Sequence, residues 1–129
     1  MSFDRIVLVV SGVFVALAGI ACLVAPESLT QPAGLSATPS GLTEIRAFYG
    51  GLQAGLGCFL IWCSRRPTLI LPGLLLVGFS VGAIGLARVT GMLIDQAPTA
   101  YHVANLALEI TTVTVVAVAV ARQRRRAKA

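Results

Sequence analysis

Four long apolar stretches constrain this chain more than any other feature of its sequence. A helix needs roughly 20 apolar residues to cross the hydrocarbon core of a bilayer, and runs of about that length fall at 6–25, 43–63, 68–87 and 101–121. Charged residues make up only 12% of the 129 residues, against roughly 25% in ordinary soluble domains. A soluble domain of this size could not bury so much apolar surface, so the sequence predicts a membrane protein.

The fourth run raises the question of helix or strand, because Ile110 to Val120 is rich in Val and Thr and such residues favour strands in water. Inside a bilayer an open strand would leave its backbone groups unpaired, whereas a helix pairs them internally. We therefore predict an all-α membrane fold: an antiparallel, up-and-down bundle of four transmembrane helices. The bundle forms one domain over residues 1–129, with a basic tail at 122–129.

The basic residues predict the orientation of the bundle. If both termini are cytoplasmic, eight of the ten basic residues lie on the cytoplasmic side, namely Arg5, Arg65, Arg66 and five in the tail. Only Arg46 and Arg88 remain near the outer ends. Such an asymmetry follows the positive-inside rule, and the tail is expected to contact anionic lipid. Nucleic acid is not an expected partner, because half of the basic residues lie in the tail, where they flank the last membrane span.

Small residues recur at helical spacing on three of the spans. Membrane helices associate through close packing, which small residues permit. The stripes predict contacts either within the bundle or between protomers, and the dense glycines of the second span make it the first candidate for an oligomer contact. Helices packed so closely would leave no water-filled pore within one protomer. The residues are Gly12, Ala16 and Gly19 on the first span, Gly50, Gly51, Gly55 and Gly57 on the second, and Gly78, Gly82 and Gly85 on the third.

Polar and ionisable residues gather towards the outer ends of three spans. Inside a membrane such residues mark either a function or a buried pairing. The second span carries Glu44, Arg46, Tyr49 and Gln53, the third ends near Arg88, and the fourth carries His102, Asn105 and Glu109.

Glu109 is the deepest of these groups. It shares a helix face with His102 and Asn105 and lies two turns, about 10 Å, below His102. A lone carboxylate at that depth would protonate or find a cation, and Arg46 and Arg88 are the available cations. Three interpretations remain open: a structural ion pair, a polar pocket for a lipid headgroup or small polar ligand, and a path for protons or ions.

No motif for catalysis or metal binding accompanies this cluster. His102 and Glu109 are about 10 Å apart along the helix axis, too far for a shared proton. The three cysteines, Cys22, Cys58 and Cys63, form no CxxC pair and fall in apolar segments, which is typical of packing residues. We expect no catalytic residue, no metal and no cofactor.

The string Arg46-Ala47-Phe48-Tyr49-Gly50-Gly51, the arginine at Arg88 and the glutamate at Glu109 resemble a widespread bacterial family of four-helix membrane proteins catalogued only as a domain of unknown function. The resemblance extends from about Glu44 to Glu109, although Ala87 stands where a glycine is expected. It implies a bacterial inner-membrane location, an arginine that closes the third helix, and a common site for Arg46, Tyr49, Arg88 and Glu109. It implies no activity.

Together these features predict a multi-pass membrane protein without catalysis. We expect an accessory or scaffold subunit that self-associates or docks on a larger membrane complex and holds lipid in an outer-leaflet polar pocket. One alternative is a small oligomeric channel or transporter for an ion or polar solute. Another is a lipid-modifying membrane enzyme.

Overall fold

Four long helices form the fold in the computed structural model, which describes residues 1–126. Helix α1 covers Phe3–Val24, α2 covers Pro39–Ser64, α3 covers Pro67–Asp95 and α4 covers Ala100–Arg126. Each is long and apolar enough to cross a membrane, and no strand occurs within residues 1–126. The prediction of an all-α chain with four helices long and apolar enough to span a membrane is confirmed.

Helix α3 is longer than the sequence predicted. We expected it to end at Ala87, with Arg88 as its closing residue, but it continues to Asp95. Nothing after Arg88 breaks a helix until Gln96, which adopts a left-handed backbone with φ 47°. Pro98 follows two residues later and disfavours helix in the residue before it. Arg88 therefore lies within the helix, almost two turns before its end.

Helix α4 also exceeds its expected length. It was predicted to end at Ala121, and it runs on to Arg126. Arginine is a good helix former, and positive side chains are favourable at the carboxyl end of a helix. The basic tail is thus helical over residues 122–126, while residues 127–129, which include Lys128, lie outside the described residues.

Helix α2 begins earlier than predicted and changes its pitch. Thr38 caps its first turn by accepting a hydrogen bond from the Gly41 amide at 3.2 Å, with Pro39 at the first helical position. A π-helical segment then covers Arg46–Gly51, and regular α-helix resumes at Leu52. A π segment fits extra residues into its turn. Residues before and after this segment are therefore not related by regular α-helical spacing.

The two ends of the bundle differ in the contacts between their helices. We call the end with Arg5, Arg65, Arg66 and Arg122 the basic end, and the opposite end the loop end. All four helices meet near the basic end in one apolar core. The segment between α1 and α2 contains a short helical turn, Glu27–Thr30, and a 3-10 turn, Gln31–Ala33, that contacts α4. The core residues are Val7, Leu8, Leu60, Cys63, Ile70, Leu74, Val77, Val116 and Ala119.

Candidate functional site

An ion pair between α3 and α4 is the central feature of the polar cluster. Nη2 of Arg88 lies 2.7 Å from Oε1 of Glu109, and Nε lies 3.0 Å from Oε1 and 3.2 Å from Oε2. Two nitrogens of the guanidinium thus donate charge-assisted hydrogen bonds to the carboxylate, mainly to Oε1. Only 21% of the Arg88 side chain and 11% of the Glu109 side chain are exposed.

A glycine on α3 makes room for this carboxylate. A Cβ added to Gly85, one turn before Arg88, would lie 3.4 Å from Oε2 of Glu109, so the carboxylate lies directly against the helix at that point. Breaking a buried pair from one side leaves an uncompensated charge and is strongly destabilising. The pair therefore links α3 to α4, and removing one partner is expected to be costly.

Arg46, the other arginine that the sequence offered to Glu109, lies elsewhere. Its Nε donates to the Leu23 carbonyl oxygen at 3.2 Å. Leu23 belongs to the last turn of α1, where the backbone carbonyls lack partners within the helix and a positive charge is favourable. Arg46 thus caps α1 and plays no part in the Glu109 pair.

His102 and Asn105 share a helix with Glu109, but their hydrogen bonds are local. Nδ1 of His102 lies 3.3 Å from the Thr99 amide and 3.1 Å from its hydroxyl, at the start of α4. Nδ2 of Asn105 donates to the Tyr101 carbonyl oxygen at 2.8 Å. Within residues 1–126, the side-chain hydrogen bonds to Glu109 all come from Arg88. The structure therefore separates the three polar residues of this face.

The remaining polar residues of α2 do not join the pair either. Glu44 and Tyr49 are exposed, and Gln53 is half-buried. The cluster that the sequence grouped together is thus divided between an α1–α2 set around Arg46 and an α3–α4 set around Arg88.

A small polar pocket adjoins the ion pair at the loop end. It has a volume of about 240 Å³. It is lined by three polar residues, Arg88, Asp95 and His102, and by Gly91, Met92 and Ala97. Arg88 belongs both to the pocket and to the ion pair. A polar group bound in the pocket would therefore lie near an arginine whose charge is already balanced by Glu109.

Helices α1 and α2 touch through backbone. A Cβ added to Gly12 would lie 2.9 Å from the Gly57 carbonyl oxygen, and one added to Gly19 would lie 2.7 Å from the Gly50 carbonyl oxygen. A Cβ on Gly57 would meet the backbone of Gly12 and Ala16 closer still. Any side chain at these glycines would force the helices apart.

The other predicted packing glycines have looser surroundings. On α3, Cβ atoms at Gly78, Gly82 and Gly85 would meet only side chains of α4, at 3.3 Å or more. On α2, Gly51 and Gly55 are exposed; a Cβ at Gly55 would meet nothing within 4 Å, and one at Gly51 only its own helix. The second helix therefore has one glycine face occupied by α1 and one that is open.

A second ion pair, which was not predicted from the sequence, lies at the basic end. Asp4 in the first turn of α1 is fully buried, and its Oδ2 accepts a hydrogen bond from Nη1 of Arg126 at 3.3 Å. Its Oδ1 has no hydrogen-bond partner. The signal was an acidic residue opening the first span, opposite a run of arginines closing the last.

Chemically, the site consists of a charge-assisted ion pair between two helices. The carboxylate of Glu109 accepts its side-chain hydrogen bonds from Arg88. Among residues 1–126, no group of three His, Cys, Asp or Glu side chains could hold a metal ion.

Comparison with protein families gives one match. The model of the family described as "Domain of unknown function (DUF4345)" matches residues 3–120. The chain belongs to this family. Membership extends well beyond the residues on which the resemblance rested, since the matched range takes in all of α1 and most of α4. Comparisons with curated proteins and with solved structures gave no match.

The family description assigns no activity, so function has to be argued from the geometry. Asp4 and the Arg88–Glu109 pair fall inside the matched range, whereas the arginines of residues 122–126 lie beyond it.

Proposed function

We propose that this chain is a non-catalytic, multi-pass protein of the bacterial inner membrane that acts through self-association, as an accessory or scaffold subunit of a larger membrane complex. Both termini are cytoplasmic in this proposal. Eight of the ten basic residues then lie inside, in accord with the positive-inside rule. The contacts of Gly12 with Gly57 and of Gly19 with Gly50 support the up-and-down arrangement that this topology needs.

The open glycine face of α2 carries the proposal. Helix α1 packs against Gly50, Ala54 and Gly57. A Cβ added at Gly51 or Gly55, in contrast, would meet no atom of another helix within 4 Å. A glycine within a helix is about 1 kcal/mol less favourable than an alanine, and contact with lipid provides no packing that would offset this loss of stability. Against a second helix it permits close approach of the two backbones.

A cysteine on the same face provides a native probe. Gly51, Gly55 and Cys58 follow the i, i+4, i+7 spacing of one helix face, and Cys58 is exposed while Cys22 and Cys63 are buried. In a symmetric dimer formed through this face, two Cys58 side chains would lie near each other. Oxidation of membranes that contain the protein should therefore link two copies through Cys58.

The experiment compares cross-linking in three variants. Cys58→Ser should abolish the dimer band, and Gly55→Leu should weaken it strongly, because the added volume separates the two backbones. Ala83→Leu, an enlargement of another exposed position on α3, is the matched control and should cross-link like the wild type. Equal cross-linking in Gly55→Leu and Ala83→Leu would show that the face meets only lipid.

The polar pocket beside Arg88 favours a second candidate, the holding of a lipid headgroup or small polar ligand in the outer leaflet. Its guanidinium, carboxylate and imidazole offer both signs of charge within about 240 Å³. Asp95→Asn together with His102→Gln should then reduce the lipid that co-purifies with the protein while leaving Cys58 cross-linking unchanged.

A further inference from the structure

An apolar groove runs along the outside of the bundle between α1 and α4. It has a volume of about 310 Å³ and begins at Phe3, near the basic end. Ile6 and Val10 continue it on α1, and Thr112, Val115 and Val116 form its other wall. The groove is distinct from the open face of α2 and from the pocket beside Arg88.

The two threonines of the groove do not make it polar. The hydroxyls of Thr111 and Thr112 donate to the carbonyl oxygens of Ala107 and Leu108, both at 2.8 Å. These bonds keep both threonine hydroxyl protons within α4, and Ser11 is the one other hydroxyl residue in a wall of otherwise apolar side chains. The groove is therefore suited to a hydrocarbon chain.

The length of the groove matches one leaflet. Its wall on α1 extends from Phe3 to Ser11, which is nine residues and about 12 Å of helix. Half of the hydrocarbon core of a bilayer is about 15 Å thick. A chain lying in the groove would thus reach from the membrane surface at the basic end nearly to the midplane.

Positive charge stands at the surface end of this groove. The guanidinium carbon of Arg122 lies 4.6 Å from the centre of the Phe3 ring, so the cation covers the first residue of the wall. Arg126, one turn further, is bound to Asp4, and this pair joins α1 to α4 at the same end. Arg122 has no carboxylate partner among residues 1–126, so its charge is free to bind an anion.

We propose that the groove holds one acyl chain of an anionic phospholipid of the cytoplasmic leaflet, with the lipid phosphate bound by Arg122. Arginine binds phosphate through paired nitrogens, and an anionic head on a hydrocarbon tail complements a cation at the mouth of an apolar groove. A second copy of the chain fits less well, since its own arginines would face these. The site does not depend on the proposed self-association.

Two pairs of variants test the head and the tail separately. Arg122→Gln removes the cation that covers Phe3 at the end of the groove. Its control is Arg66→Gln, because Arg66 also lies over an aromatic ring, 5.9 Å from the centre of Trp62, but Trp62 is not part of the groove wall. Val115→Phe fills the groove, and its control is Val118→Phe on the same helix. Val115 and Val118 are 39% and 42% exposed, so neither enlargement should disturb the core.

The measurement is lipid retention by native mass spectrometry after delipidated, full-length protein is mixed with dioleoyl phosphatidylglycerol or dioleoyl phosphatidylcholine. The wild type should retain phosphatidylglycerol preferentially. Arg122→Gln should reduce that preference about fivefold, the effect of one arginine at a membrane surface, and Arg66→Gln should not. Val115→Phe should lose retention of both lipids, and Val118→Phe should keep it.

Three results would overturn the proposal. The first is equal retention of the two lipids by the wild type. The second is equal behaviour of either variant and its control. The third is a thermal stabilisation by glycerol phosphate, which has no acyl chain, as large as that by phosphatidylglycerol, since the groove would then have no part in binding. Cys58 cross-linking should be unchanged in Val115→Phe, so a failure here is distinguishable from a failure of self-association.

Discussion

Helices α1 and α2 are held together in a different way from helices α3 and α4. In the first pair, Gly12 and Gly19 bring the backbone of α1 against Gly57 and Gly50 of α2. In the second pair, an ion pair joins Arg88 to Glu109, and the glycines of α3 meet only side chains. Lipid supplies no hydrophobic drive between helices, so both pairs need another source of attraction. In the first interface an added Cβ would meet backbone, so we expect no added atom to be tolerated. In the second an added Cβ would meet side chains beside an ion pair, so we expect small changes of volume to be tolerated.

The largest effect expected from this comparison is at the ion pair. Glu109→Gln leaves the Arg88 charge unpaired and should lower the free energy of unfolding by about 3–5 kcal/mol. The double variant Glu109→Gln/Arg88→Gln should recover part of that loss, because it leaves no uncompensated charge. Unfolding by denaturant in detergent, followed by circular dichroism, measures both. If the double variant is no more stable than the single one, the pair does not hold the helices.

The next effect tests close packing on the two faces of α2. Gly57→Ala should lower stability by about 1–3 kcal/mol, because its Cβ would overlap the backbone of Gly12 and Ala16 and cannot be relieved by rotating a side chain. Gly55→Ala, on the open face, is the control and should be neutral or slightly stabilising in the monomer, since alanine is the better helix former. The same unfolding measurement compares them. Equal losses at both positions would contradict the assignment of Gly57 to the contact with α1.

The smallest effect distinguishes the glycines of α3 from those of α1 and α2. A Cβ at Gly82 would lie 4.0 Å from Cγ2 of Val113, an ordinary contact distance. Gly82→Ala should therefore gain up to about 1 kcal/mol from helix propensity. A loss comparable to that of Gly57→Ala would show that α3 and α4 also depend on backbone contact.

Much of the polar site could be found in the sequence, but its partners could not. The depth of Glu109 predicted that its carboxylate would be protonated or would pair with a cation, and either Arg46 or Arg88 could have supplied the cation. Arg88 is the partner because α3 continues past it to Asp95, so the arginine lies on a helical face beside α4. Arg46 instead donates a hydrogen bond to the Leu23 carbonyl oxygen in the last turn of α1. A pattern of side chains in the sequence does not predict this contact with the backbone.

By itself, the sequence determined the number of spans, their approximate positions and their helical nature. These follow from length and apolar composition, because a bilayer forces the backbone to pair within each segment. Only the tertiary structure decided which glycine face of α2 meets α1. The π segment at Arg46–Gly51 departs from the α-helical repeat of about 3.6 residues per turn, so the face of a residue cannot be assigned from regular α-helical spacing across it. Only the tertiary structure brought Asp4 to Arg126, 122 residues away. Such contacts depend on how whole helices are placed, and local patterns carry no information about that placement.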